Sequence, residues 1–292
     1  AKTASPQDIA MTVDNASGAA VLSFDLAPTD AQTFLARSGA PSGWGPTITA
    51  GSTANVNKDK EFIVVLDPGH GGIDPGAERG GLVEKELALN VARRIRDELR
   101  RAGVRVELTR DDDVFVSLEA RTATAHRAGG ALFMSLHADA LSQGGAQGAT
   151  LYTLSQEASD VASARLAERH NRSDILAGVD LKGTDDEVTS VLLDLARRET
   201  EPRTNALAEK VIASMDAAGG PMNRKPWRRA GFSVLKSADI PSVLVELGFL
   251  SSKRDQKNLG DPAWQAKMAK ALAQAILEWR DEDAALRQLL RQ

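Results

Sequence analysis

FIVVLDPGHGGIDPGAERGGLVEKELALNVARRIRDELRRAG, residues 62–103, reads as a strand, a glycine-rich turn and a helix in succession. FIVVLD (62–67) is an unbroken apolar run, the pattern of a strand buried in a sheet. Leu87, Val91, Ile95 and Leu99 then recur every fourth residue, a helical stripe over about Lys85–Ala102 that Gly103 stops. The alternation continues outward. VRVELTR (104–110) reads as a strand, 117–128 as a helix, and ALFMSLH (131–137) and GATLYTL (148–154) as strands. Further on, 203–217 reads as a helix, FSVLK (232–236) and PSVLVEL (241–247) as strands, and Asp261 as the cap of a final helix. On that helix Trp264, Met268, Leu272, Ile276 and Trp279 form a core-facing stripe. Strands alternating with helices predict an α/β domain over residues 61–292, with a single twisted, largely parallel sheet flanked by helices. A helical insertion of about 155–201 interrupts it. SDVASARLAERHN and DEVTSVLLDLARR supply its two helices, the second with an apolar face of Val188, Val191, Leu192 and Leu195.

Residues 1–60 form a separate N-terminal segment and linker. Ser38–Lys60 is rich in turn formers without apolar periodicity, and AAVLSFDLAP reads as one strand that cannot build a core by itself. That piece is expected to be a remnant of something upstream or a strand added to the main domain. With 292 residues, 42% of them hydrophobic, the chain can bury a full core. A formal charge of −4 gives no general attraction to nucleic acid or anionic lipid. The absence of cysteine leaves histidine and carboxylate as the strong metal ligands. No apolar run reaches the roughly 18 residues of a membrane span, and AKTASPQD lacks the regions of a signal peptide.

The chemistry concentrates at strand ends. The chain holds 4 histidines. His70 and His137 follow the first and third strands of the α/β domain, and Glu246 ends the last. In an open α/β sheet that edge binds ligands. Glu84 would open the helix behind the first strand and join them. Gly69, Gly71 and Gly72 let the backbone turn around His70, and without a following Gly-Lys-Ser/Thr the turn is not a phosphate loop. Two imidazoles and a carboxylate are the ligand set of many catalytic zinc sites, leaving a position for water. Glu246 is the candidate general base. His126, on a polar helix face, receives no role. Ser135 shares a strand with His137, which does not make it a nucleophile.

VVLDPGHGGIDPGA, GLVEKELALNVA, the LTR and LEAR segments, FMSLHAD and IPSVLVELGFL together resemble the zinc-dependent N-acetylmuramoyl-L-alanine amidases of bacterial cell separation, from about Phe62 to Trp279. The resemblance implies cleavage of the amide between the lactyl group of N-acetylmuramic acid and the first L-alanine of the stem peptide. It implies zinc (Zn2+) held by His70, Glu84 and His137, catalysis by Glu246, a periplasmic location and a monomer acting on peptidoglycan. The insertion resembles the regulatory segment of the division-associated members, in which one helix occupies the cleft and another receives an activator. There a glutamate before Asn-Arg closes the zinc sphere. Here AERHNRSDI puts His170 at that position, with Glu168 two residues earlier. His170 is the expected autoinhibitory ligand and Glu168 the alternative. Val188, Val191, Leu192 and Leu195 become the expected docking face for a protein activator carrying an inactive endopeptidase-like domain. The wall-targeting β domain that relatives often carry is not complete in AAVLSFDLAP. Two other readings stand beside this one: a zinc peptidoglycan peptidase, and a wall-binding module without catalysis.

Overall fold

The computed structural model describes residues 61–141, 146–172 and 197–287 with their side chains, and the backbone of Thr3–Val13, Ala20–Thr29, 187–196 and 288–289. The chain divides into two units, Ala1–Lys60 and Glu61–Gln292. In the first, β1 (Thr3–Val13) and β2 (Ala20–Thr29) pair antiparallel, with an irregularity between Pro6 and Ile9. AAVLSFDLAP is therefore one of two strands. The other, TASPQDIAMTV, escapes a sequence reading because Pro6, Gln7 and Asp8 interrupt its alternation. The stretch Ser38–Lys60 lies outside the described residues.

The second unit is built on a six-stranded sheet of β3 (Ile63–Pro68), β6 (Arg105–Leu108), β7 (Leu132–His137), β8 (Ala149–Leu154), β9 (Met222–Ala230) and β10 (Ser242–Glu246). Their spatial order is β6-β3-β7-β10-β8-β9. β6, β3, β7 and β10 are mutually parallel, while β8 runs against β10 and carries β9 parallel to itself. Two short strands, β4 (Glu78–Arg79) and β5 (Leu82–Val83), form a hairpin before the first helix. The helices are α1 (Glu84–Arg101), α2 (Leu118–Ala128), α3 (Val161–Asn171), α4 (Glu187–Ala217), α5 (Lys253–Leu259) and α6 (Pro262–Leu289).

Strand alternation sorts the core into two layers. Val64, Leu66, Leu132, Met134, Leu136, Val243 and Val245 face α1, α4 and α6. Those helices bury Ile95 and Leu99 from α1, Leu207 and Val211 from α4, and Met268, Leu272 and Trp279 from α6. Val65, Phe133, Tyr152 and Leu244 face the other way, against Ala125 of α2 and Leu166 and Ala167 of α3. Each fully buried side chain of this size stabilises by about 1.5–3 kcal/mol. The predicted stripes on α1 and α6 are thus core, Trp264 being only partly buried.

Three details differ from the sequence reading. FSVLK is not a strand: Ser233–Leu235 is a single 3-10 turn. The missing strand is β9, MNRKPWRRA, an edge strand that needs no apolar run because only one neighbour covers it. The insertion's second helix does not end at Glu201. α4 continues through Pro202 to Ala217 as one helix. Proline removes one backbone hydrogen bond there, and the residues beyond it are anchored regardless. Arg203 pairs with Asp283 of α6 at 2.7 Å, and Trp279 Nε1 donates to the Arg203 carbonyl at 3.0 Å.

Candidate metal centre and active site

Sheet register assembles the site. In the parallel trio β3-β7-β10, Asp67 lies opposite Ser135, Pro68 opposite Leu136 and Glu246 opposite His137. The three strands therefore end together at one edge. By the two-residue alternation, Asp67, Ser135, His137 and Glu246 point to the face that α2 and α3 cover.

His70 stands just past β3 at φ 58°, a left-handed backbone that a non-glycine residue keeps only where its surroundings impose it. Two buried arginines impose it. Arg121 donates to the carbonyls of His70 (2.8 Å) and Pro68 (2.9 Å), and Arg110 to those of Pro68 (3.0 Å) and Gly69 (2.8 Å). Arg121 also pairs with buried Asp67 at 2.6 Å, where the Ser135 and Thr109 hydroxyls donate at 2.6 Å each. Burial alone would raise the Asp67 carboxyl, but Arg121 and the two hydroxyls hold it below its ordinary value. Its contribution to stability is therefore present at neutral pH and lost as pH falls through the carboxylate range. Arg121→Ala would strand that carboxylate in the core. It is expected to destabilise the domain by about 3–5 kcal/mol, read as a lowered denaturant midpoint. A loss below about 1 kcal/mol, the level of an exposed pair, would contradict this account of the loop.

Glu84, the first residue of α1, is fully buried beneath both histidines. Its Oε1 lies 2.9 Å from His137 Nδ1 and 3.2 Å from His70 Nε2, and accepts from the Ala138 N–H at 3.0 Å. Its Oε2 accepts from the Ala77 N–H at 2.8 Å. Burial would raise the Glu84 carboxyl, yet the two imidazoles hold it well below the usual range. Reciprocally, His70 is raised to about 10 against the desolvation of burial, by Glu84 and by Asp74. Asp74 Oδ2 takes His70 Nδ1 at 2.8 Å, which aims Nε2 into the site. Gly69 is needed here, since a Cβ would fall 2.1 Å from His137 Cε1.

The third imidazole arrives from α3. His170 is 6% exposed, and its ring centroid lies 4.3 Å from that of His137 and 5.8 Å from that of His70. Burial, with other charged groups nearby, pushes both His137 and His170 down to about 3, so both are neutral and able to donate a lone pair. Nitrogens of His70, His137 and His170 lie within 4.8 Å of one another. Beside them is Glu246, fully buried. Its Oε2 accepts from the Asp139 N–H at 3.0 Å, while Oε1 stands 3.9 Å from His170 Nε2. Burial and the charge of Glu84 raise its carboxyl well above the ordinary value. His70 Nε2 and Glu246 Oε1 are both buried without a hydrogen-bond partner. Unsatisfied atoms of this kind in a cluster of imidazoles and carboxylates fit a metal ion.

α3 is held over the site at several points. Asn171 Nδ2 donates to the Gly231 carbonyl (2.8 Å) and its Oδ1 accepts from the Ser233 N–H (2.7 Å). Arg169 pairs with Asp139 and donates to the Ala140 carbonyl at 3.1 Å. Asp160 caps the helix by accepting from the Ser163 N–H and is paired with Arg228 at 2.5 Å. The cavity left above the histidines measures about 20 Å³, room for one water-sized group.

All four residues read from strand ends and the helix start, His70, Glu84, His137 and Glu246, meet here, together with His170. Glu168 does not. It is exposed and paired with Arg172. His126 is exposed against Asp239, and Ser135 serves Asp67. The backbone of Val188, Val191, Leu192 and Leu195 lies in α4, but their side chains lie outside the described residues. Sequence reasoning assigns nothing to Asp67, Asp74, Asp139, Arg110, Arg121 or Asn171. For the two arginines a signal exists in the LTR and LEAR segments, which carry them.

Fold and site together define a class: an open α/β domain with the donors of a metal-dependent hydrolase at the carboxyl end of its sheet. Residues 64–278 match the N-acetylmuramoyl-L-alanine amidase family, and the chain belongs to it. It is a hydrolase of the peptidoglycan cell wall. It is 37% identical over 228 residues to N-acetylmuramoyl-L-alanine amidase AmiA of Escherichia coli, covering 76% of this chain and 78% of the relative. It is 34% identical over 216 residues to AmiC of Neisseria meningitidis serogroup B, covering 73% of this chain and 51% of that one. Among solved structures, AmiC2 of Nostoc punctiforme is similar with a TM-score of 0.54 at 27% identity, covering 75% of this chain and 97% of its own.

Proposed function

We propose that the chain is a zinc-dependent amidase of cell separation, cutting the bond between the lactyl group of N-acetylmuramic acid and L-alanine, and that α3 holds it inactive until an activator draws the helix away. The observation that carries this reading is the convergence of two unsatisfied buried atoms, His70 Nε2 and Glu246 Oε1, with His170 of the inserted helix. His70, Glu84 and His137 would hold the zinc, and His170 would close its coordination. A zinc ion held there supplies Lewis-acid polarisation of the scissile carbonyl and a lowered pKa for the attacking water.

The chain's own groups do the rest. Asp74 fixes the tautomer and direction of His70. Glu246, its carboxyl raised by burial and by the Glu84 charge, takes the proton of the attacking water and passes it to the leaving nitrogen. The Asp139 N–H holds the other Glu246 oxygen, so that the proton is carried on Oε1. With α3 seated, the small remaining cavity admits no glycopeptide. An activator binding Val188, Val191, Leu192 and Leu195 must favour the open state over the closed one to be effective. The chain is read as a monomer acting in the periplasm, where the peptidoglycan substrate of its family lies. No helix among the described residues is long and apolar enough to cross a membrane.

Product analysis separates this reading from a stem-peptide peptidase. Murein treated with the zinc-loaded, activated chain should release stem peptides that begin with a free L-alanine amine and leave the glycan strands intact. Fragments cut within the stem would favour the peptidase, and zinc binding without any release would favour a wall-binding module.

A further inference from the structure

Asp139 is a buried carboxylate whose cationic partner is borrowed from the removable helix. Its side chain is 4% exposed, and its pairing cation is Arg169, half-exposed on α3. The other groups on it are its neighbour's Ala140 N–H and, at 3.3 Å, His170 Nε2, which also belongs to α3. When α3 leaves, Asp139 keeps its place, because its own N–H is bonded to Glu246. It then lies beside Glu246 as a carboxylate without its cation, open to another. Its distance from the general base is short: one atom, His170 Nε2, stands 3.3 Å from Asp139 Oδ2 and 3.9 Å from Glu246 Oε1.

The reaction itself produces a cation at that point. Hydrolysis breaks the C–N bond and gives the hydroxyl of water to the lactyl carbonyl; the nitrogen gains the first water proton through Glu246 and a second proton, matched by the one the new carboxylic acid releases as it ionises, to become the ammonium of L-alanine. We propose that Asp139 is the seat for that ammonium, and that Arg169 occupies the seat as a stand-in for the product while α3 is docked. This rests on the reading of α3 as a plug. It makes the plug a two-point mimic, with His170 at the metal donors and Arg169 at the amine site.

The test uses the full chain carrying His170→Ala together with Arg169→Ala, so that the stand-in cation no longer fills the seat, and calorimetric titration with L-alanyl-γ-D-glutamate, free or N-acetylated. A charged hydrogen bond is worth about 1.5–3 kcal/mol, so the free amine should bind at least about tenfold more tightly than the acetylated form. Adding Asp139→Asn, which keeps the N–H to Glu246 and the side-chain shape, should bring the two affinities together. If that variant is unstable, Asp139→Ser takes its place under the same expectation. Equal binding of the two peptides by an active chain carrying both His170→Ala and Arg169→Ala overturns the ammonium seat alone, as does a preference that survives loss of the carboxylate. If that doubly substituted chain neither raises basal murein release nor binds either peptide, the plug reading falls and this inference with it.

Discussion

Glu246→Gln is expected to lower the rate of murein cleavage by about 10²–10⁴-fold in an activated chain, with fold and zinc content unchanged. Glutamine keeps the shape of the side chain and an oxygen for the Asp139 N–H, so β10 and its pairing with His137 should remain. What it removes is the proton carrier. Burial first and the Glu84 charge second raise this carboxyl and disfavour its ionised form, so an uncharged amide of the same shape should not destabilise the domain. The signature is therefore a lost kcat with a denaturant midpoint and a metal stoichiometry like those of the parent. A variant that loses zinc together with activity would make Glu246 a ligand and not a base. A variant that keeps more than a tenth of the rate would place the base elsewhere.

His170→Ala is expected to act in the opposite direction, raising activity in the absence of any activator by about tenfold or more. Two effects add. The substitution withdraws the donor from α3, and it opens a space the size of an imidazole next to His137 and Glu246 where water can enter. Tenfold is only about 1.4 kcal/mol in the balance between closed and open states. The remaining anchors resist a larger effect. Asn171 still bridges Gly231 and Ser233, Arg169 still pairs with Asp139, and Leu166 stays in the core layer with Tyr152 and Phe232. His170→Ala with Asn171→Ala should consequently exceed either change alone. Activity that stays flat or falls, in protein of unchanged fold, would remove α3 from the regulation of this site.

The polypeptide announces this site at the points where local chemistry is strong. A histidine among glycines after FIVVLD, a histidine after ALFMSL and a glutamate after PSVLV are each legible, because a buried strand that stops on a polar side chain has one place to put it. Parallel register then makes three such ends one cluster, and the α/β alternation is enough to expect that. The supporting groups are different. Arg110 and Arg121 act on carbonyls some forty and fifty residues away in sequence, and Asp139 works through its backbone N–H; the LTR and LEAR segments carry the arginines, but nothing local says which carbonyls they hold. β9 is hidden for another reason. An edge strand with Arg224, Lys225 and Pro226 carries the charges and the proline that protect an open edge, and those are the residues a strand reading discounts. Pro202 misleads in the same way, since the packing around Arg203 and Trp279 outweighs its local preference for a helix end.

The central claim is a zinc ion held by His70, Glu84 and His137 and closed by an imidazole from the chain's own inserted helix. X-ray absorption at the zinc edge of the resting, zinc-loaded chain counts those imidazoles directly, through the scattering of their outer ring atoms. The account predicts three imidazoles and one carboxylate in the parent, and two imidazoles with a water in place of the third in His170→Ala. Two imidazoles in both chains would contradict it.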